Sequence, residues 1–237
     1  MITVFTSCHN QGQYLPQAIE SVLRQTHDDF VYHLIDDGST DNTWQVISYY
    51  ASQDARILAA KLLKQPNVGP IINMSLGMSK DQWVWCPSDD ILYPRLLEKK
   101  LEICKLFPEA VVYDDWDIID GNGNKVRDVR VPIMTPSEFN NEVWESSPIG
   151  FTGIMVPVEL VRSTNCWFPT HLNYSEDFYW MIEATLNGFQ FFGVPEKLHA
   201  KRKHGNTTTT KNIDAILAQI PEIRATLAGK YNVDRQP

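Results

Sequence analysis

The stretch WCPSDDIL, residues 85–92, sets two carboxylates, Asp89 and Asp90, side by side at the end of an apolar run. Like charges this close raise each other's pKa and cost stability unless a positive charge joins them. The pair is either a capping device for a helix opened by Pro94 or a site for a cation. A second acidic cluster, DDGSTDNT at 36–43, is either a tight strand-to-helix turn or a clamp in which a carboxylate accepts from a nucleobase N–H or a ribose hydroxyl. Asp177, behind Ser175 and Glu176, falls in the first turn of a helix, where the macrodipole favours acids. Lys201, Arg202, Lys203 and His204 form the densest cationic cluster of an acidic chain. Such a run is either a solvated face or a contact for a diphosphate.

These groups need strands and helices to bring them together. ITVFTSC (2–8) and FVYHLID (30–36) are strand-like, and between them YLPQAIESVLRQT sets Leu15, Ile19, Val22 and Leu23 on one helical face, which makes a β-α-β unit. A helix with Trp44, Val46, Ile47 and Tyr50, a strand over 56–63 and a helix over 69–78 continue the alternation. The strands QWVWCP and AVVYDD then flank the helix of PRLLEKKLEICKLF. This order predicts a doubly wound α/β sheet over residues 1–115. Ligands of such sheets bind at the carboxyl ends of the strands, so SDD and DDGSTD should share one crevice. The second half is less regular. DWDIIDGNGNKVRDVRV reads as a hairpin turning at 120–124, and PIGFTGIMVP (148–157) as a strand. SEDFYWMIEATLNG (175–188) reads as a capped helix ended by Gly188, FQFFGV and KLHAKRK as two strands, and the C-terminal stretch as a helix ending near Lys230.

Of 237 residues, 43% are hydrophobic and 21% charged, the composition of an ordinary soluble globular protein. A formal charge of -8 argues against a general nucleic-acid binder. No apolar run is long enough to span a bilayer, and MITVFTSCHNQGQ lacks the basic start and apolar core of a signal peptide. A cytoplasmic location is therefore expected, with peripheral membrane contact left open. Cys8, Cys86, Cys104 and Cys166 are widely spaced without a C-x-x-C, which suggests reduced, buried thiols rather than zinc ligands or a disulfide framework.

In chain order, SCHN, A-I-x-S-V-L-x-Q-T, DDGSTD, NVG, SDDIL, SED and H-G-N-T resemble the motifs of the family 2 glycosyltransferases, inverting enzymes with the GT-A fold. The resemblance spans roughly residues 2–210. It implies a Rossmann-like α/β/α sandwich with a mainly parallel central sheet and a smaller acceptor-side region. Residues 1–115 would form the nucleotide-sugar-binding half, 116–210 the acceptor-side half of the same domain with the catalytic base, and 211–237 a C-terminal helix. Ser7, Cys8 and Asn10 would lie at the nucleotide-binding loop, with Asp37 on the base or ribose and Asp89 on the ribose or on metal-bound waters. Asp90 would ligate a divalent metal, Mn²⁺ or Mg²⁺, with His204 as a second metal or phosphate contact. Such hard ions suit carboxylate and phosphate oxygens and would supply the positive charge the acidic pair lacks. Lys201 or Arg202 would contact the diphosphate, and Asp177 would be the general base, kept ionised by its helix N-terminus.

The implied reaction moves a hexosyl or N-acetylhexosaminyl unit from a nucleotide sugar, first of all a UDP-sugar, to a hydroxyl of a carbohydrate or glycolipid, in polysaccharide or glycoconjugate synthesis. A GT-A-like nucleotidyltransferase would need a basic phosphate-gripping loop near the N-terminus, and SCHNQGQYL has no Lys or Arg. A non-catalytic nucleotide-sugar-binding protein would have no use for Asp177 beside Asp89, Asp90 and His204. Trp116, Trp144, Trp167, Tyr174 and Trp180 either fill the core, the commoner fate of aromatics, or stack on a sugar ring. The C-terminal helix, with Ile213, Ile216, Leu217 and Ile220, is expected to pack on the domain, with a homodimer contact as second choice and membrane binding last.

Overall fold

A computed structural model describes residues 1–205 and 207–233, the side chain of Thr208 apart. Asn206 of the H-G-N-T stretch and residues 234–237 of the C-terminal segment lie outside the described residues. Strands β1 (Ile2–Cys8), β2 (Phe30–Asp37), β3 (Ile57–Leu62) and β4 (Gln82–Trp85) run parallel, connected by α1 (Leu15–Leu23), α2 (Thr43–Gln53) and α3 (Gly69–Met78). The chain continues through β5 (Ile91–Leu92), α4 (Leu96–Leu106), β6 (Ala110–Ile119), β7 (Lys125–Val129), α5 (Pro136–Glu145), β8 (Met155–Pro157), α6 (Val158–Thr164), α7 (Glu176–Leu186), β9 (Gln190–Arg202) and α8 (Thr208–Tyr231). The described strands form one sheet in the order β3-β2-β1-β4-β8-β6-β9-β5, with β7 paired to β6. Only β8, β5 and β7 are antiparallel to their neighbours.

The inner strands are apolar on both faces because both faces are covered. Val4, Leu34, Val84 and Val112 pack under α1, α2 and α4, whereas Phe5, Ile35, Trp83 and Val111 pack under α3, α5, α6 and α7. This is the period-2 alternation of a buried strand. Each layer buries its own cluster, and the ends of β1, β2, β4, β6 and β9 are left to carry polar groups.

Three sequence expectations change. PIGFTGIMVP is a strand only over Met155–Pro157. Ahead of it Gly153 has φ 71, and a Cβ there would lie 2.7 Å from Leu96 Cδ1, so the segment turns as a loop. FQFFGV and KLHAKRK are one strand, β9, which passes Pro195 and Glu196 at a register irregularity opposite Asp114 to Trp116. Helices α5 and α6 were not anticipated, yet α5 opens with a capping box between Thr135 and Glu138 and with Pro136 in its first turn.

Trp144 and Trp180 are core, while Trp116, Trp167 and Tyr174 are half-buried. All four cysteines are free and buried. Helix α8 packs through Ile223 and Leu227, whereas Ile213 and Leu217 stay exposed. Among the described residues no helix is long and apolar enough to cross a membrane.

Candidate active site

The loops after β1 and β2 are stitched together. Asn10, with φ 54, donates its amide to Ser39 Oγ at 2.9 Å and accepts from the Thr40 amide at 2.9 Å through Oδ1. His9 Nδ1 donates to the Asp37 carbonyl at 2.9 Å. Gly38 has φ 68, and a Cβ there would meet the Lys64 backbone at 2.5 Å, so only glycine allows this turn. The Asp37 carboxylate, expected at a base or ribose, accepts from Lys64 Nζ at 2.5 Å and from the Gln65 amide at 2.7 Å and is buried. The Cys8 side chain lies in the α1 layer and burial pushes its thiol up, so a ligand contact at this position would come from the backbone. Ser7 is half-buried at the end of β1. The DDGSTDNT segment is thus a tight turn, but α2 starts without a side-chain cap at Asn42.

Neither Asp89 nor Asp90 caps α4, whose N-cap is Arg95. Asp89 Oδ2 lies 3.1 Å from His204 Nε2. Asp90 turns inward: Oδ1 accepts from the Arg202 amide at 2.7 Å and Oδ2 from Thr152 Oγ1 at 2.6 Å. Burial, and then the charge of Asp89, push the Asp90 carboxyl up to about 7. The resemblance implies metal contacts from Asp90 and His204; in the structure His204 meets Asp89, and Asp90 lies behind that contact, held by the Arg202 amide and Thr152. The donor set of two carboxylates and an imidazole suits a divalent cation. Among the described residues no three acidic, Cys or His side chains are already gathered at metal-ligand spacing.

Arg202 is engaged elsewhere. Its guanidinium donates to the carbonyls of Asp89 at 2.8 Å, Asp120 at 3.2 Å and Gly121 at 3.3 Å, and to Gln17 Oε1 at 2.6 Å. It also stands 5.0 Å over the Tyr14 ring, whose centroid is 4.5 Å from that of His204. Tyr14 and Gln17, both unnoticed in the sequence, therefore brace the site from α1. Successive strand residues face opposite ways, so Lys201 faces away from α1, and its charge acts on both Asp90 and Asp177. Of the two cations expected at a diphosphate, Lys201 is the one not spent on backbone carbonyls among the described residues.

Asp177 sits in the first turn of α7, with Oδ1 accepting from the Phe178 amide at 2.8 Å. Burial raises its pKa against the lowering effect of the Phe178 amide and of Lys201, and burial together with Asp177 pushes Glu176 up to about 7. Ser175, the N-cap, makes no capping bond: φ is 60, and its buried Oγ has no partner among the described residues. A left-handed L-residue costs about 1–2 kcal/mol and a buried unpaired hydroxyl adds to that, while glycine loses about 0.5–1 kcal/mol of chain entropy. Ser175→Gly should therefore stabilise the protein by about 1 kcal/mol, read as a higher urea midpoint at unchanged slope. A lower midpoint would contradict the strain.

Sequence reading also missed a buried cluster beneath these groups. Lys100, 0% exposed, donates to Gly153 O at 2.6 Å and Val112 O at 3.2 Å and pairs with Asp114. Asp114 Oδ2 accepts from the Leu198 amide at 3.1 Å and from His199 Nδ1 at 2.8 Å. Burial lowers the Lys100 pKa; Asp114, though burial opposes it, is held low by Lys100 and His199. The signal was available: Lys100 lies four residues from Leu96 and from Cys104, on the apolar face of α4.

A parallel sheet with acidic loops at its carboxyl edge and a cationic strand end beside them has known counterparts. The sequence model of Glycosyl transferase family 2 matches residues 3–162. The chain belongs to glycosyl transferase family 2. Glycosyltransferase GlyG of Streptococcus pneumoniae serotype 4 is 31% identical over 129 residues, 52% of this chain and 42% of GlyG. An uncharacterised glycosyltransferase of Rickettsia bellii is 25% identical over 214 residues, 89% of this chain and 30% of that protein. The family 2 chain thus spans less than half the length of these two relatives. In structure it resembles S. aureus TarS 1–349 in complex with UDP-GlcNAc, with a TM-score of 0.74 at 17% identity over 94% of this chain and 66% of that one. Mannosyltransferase PcManGT from Pyrobaculum calidifontis, in complex with GDP-Man and Mn²⁺, gives 0.71 at 15% identity over 100% of this chain and 65% of that one. The fold is GT-A.

Proposed function

We propose that this chain moves a glycosyl unit from a nucleotide sugar, first of all a UDP-sugar, to a hydroxyl of a carbohydrate or glycolipid acceptor, with inversion and in the cytoplasm. The observation that carries this reading is the meeting of the acidic loop after β4 with the end of β9, where Asp89 lies 3.1 Å from His204 and Asp90 accepts from the Arg202 amide at 2.7 Å. That acidic pair suits a metal-bound diphosphate, and Asp177, in the first turn of α7, suits a proton. The loops of Ser7 to Asn10 and Asp36 to Asp41 would cradle the nucleoside. Asp89 and His204 would hold Mn²⁺ or Mg²⁺, with Asp90 behind them. When bound, the cation offsets negative charge growing on the leaving diphosphate.

The chain's own residues do the rest. Lys201 would add positive charge on the leaving-group side. Asp177 takes the proton of the acceptor hydroxyl as its oxygen forms a bond to the anomeric carbon and the bond to the diphosphate oxygen breaks on the opposite face. The proton remains on Asp177 until the product leaves. One displacement without a covalent intermediate inverts the anomeric configuration.

The test is calorimetric titration with UDP in Mn²⁺ and in EDTA, followed by assay of UDP release from UDP-sugars with acceptor panels. Binding that requires metal, and then sugar transfer, is the expected outcome. If UDP, GDP, dTDP and CMP all fail to bind with or without metal, the reading is wrong. The nucleotides of TarS and PcManGT belong to those proteins and serve here to order the panel.

A further inference from the structure

Asp90 is gripped by two segments far apart in sequence: Thr152 Oγ1 on Oδ2 at 2.6 Å and the Arg202 amide on Oδ1 at 2.7 Å. Thr152 is 4% exposed and Asp90 3%. The loop that carries Thr152 is fixed next door at Gly153, whose amide donates to Trp85 O at 2.7 Å and whose carbonyl accepts from Lys100 Nζ at 2.6 Å. Through Asp114, the same ammonium also reaches the Leu198 amide and His199 in β9. One buried ion pair is therefore connected to both grips on Asp90, to Thr152 through Gly153 and to Arg202 through β9. The second grip matters beyond Asp90, because His204 lies two residues after Arg202 and meets Asp89.

Resting on the metal–diphosphate reading of Asp89 and His204, we propose that Thr152 is a positioning residue for that site. Its hydroxyl clamps Asp90 between the Gly150–Gly153 loop and the end of β9, and so sets the spacing of Asp89 and His204. Without the hydroxyl, a buried carboxylate oxygen lacks its donor, and Asp90 can relax only by turning away from one of its two anchors. Metal-linked binding of a nucleoside diphosphate then weakens, while the metal-independent contacts of the nucleoside remain.

The experiment titrates UDP into wild type, Thr152→Val, Thr152→Ser, Asp90→Asn and the Thr152→Val, Asp90→Asn double variant, each in Mn²⁺ and in EDTA. Thr152→Val should weaken binding about tenfold in Mn²⁺ and leave it unchanged in EDTA, as for other groups that orient a metal ligand. Thr152→Ser, which keeps the donor, should restore it. The valine change should add little in the Asp90→Asn background, since both act through one contact. If the valine protein is not recovered folded, Thr152→Ala takes its place. Wild-type affinity in the valine or alanine variant, loss that serine does not restore, or fully additive losses would each overturn the role of Thr152. Absence of metal-linked binding in the wild type is a separate outcome, which removes the metal reading and this inference with it.

Discussion

Asp177→Asn should lower kcat about a thousandfold, corresponding to about 4 kcal/mol of transition-state stabilisation, and leave the affinity for nucleoside diphosphate and metal unchanged. Asparagine fills the same space and still accepts from the Phe178 amide through its carbonyl oxygen, so the first turn of α7 has no reason to move. It cannot take up a proton. Stopped assays of donor consumption beside calorimetry of UDP binding separate the two effects. A variant that turns over at the wild-type rate would remove Asp177 from the reaction, and one that also loses UDP would make it a structural acid.

The same carboxylates give the pH dependence its direction. Glu176 is pushed up to about 7 and Asp177 is raised beside it, both chiefly by burial. A general base must be unprotonated, so kcat/KM should rise with pH through an acidic limb displaced above the ordinary carboxylate range. The limb belongs to the pair rather than to one residue. Stability has the opposite sign: between the unfolded pKa values of about 4 and the raised folded ones the native state holds more protons, so this pair's contribution declines as pH rises. Such a loss accords with acids kept for chemistry rather than for the fold.

How much of this was legible depended on how local the cause was. The β-α-β alternation of residues 2–36 follows from apolar spacing within each segment, and β1, α1 and β2 lie where that spacing puts them. Helix α5 was equally legible through T-P-S-E at 135–138, but the polar face of Glu138, Asn141 and Glu142 hid its periodicity. PIGFTGIMVP has the composition of a strand; what makes most of it a loop is the approach of Leu96 and Lys100 to Gly153, a tertiary effect. The site divides in the same way. SDD and SED were visible as clustered charge, whereas the engagement of Arg202 with three carbonyls depends on where β9 ends relative to Asp120 and α1. Adjacent cations in a strand look equivalent in sequence, and only the sheet distinguishes Lys201 from Arg202.

The two acids of SDD should part company in the same way. Asp89→Asn should weaken metal-linked UDP binding at least about a hundredfold, close to 3 kcal/mol, because it removes a charged ligand at the His204 contact and puts a neutral amide in its place. Asp90→Asn should cost only about tenfold. Its carbonyl oxygen can still accept from the Arg202 amide, so that anchor survives, while the charged acceptor of the Thr152 hydroxyl is lost as it is in Thr152→Val. Titration of UDP at fixed Mn²⁺, repeated with Mn²⁺ varied at saturating UDP, assigns the loss to the metal rather than to the nucleoside. A larger loss from Asp90→Asn than from Asp89→Asn would return the ligand role to Asp90. The inward contacts would then have to open when the donor binds, and Thr152 would act as a latch to be released rather than a clamp.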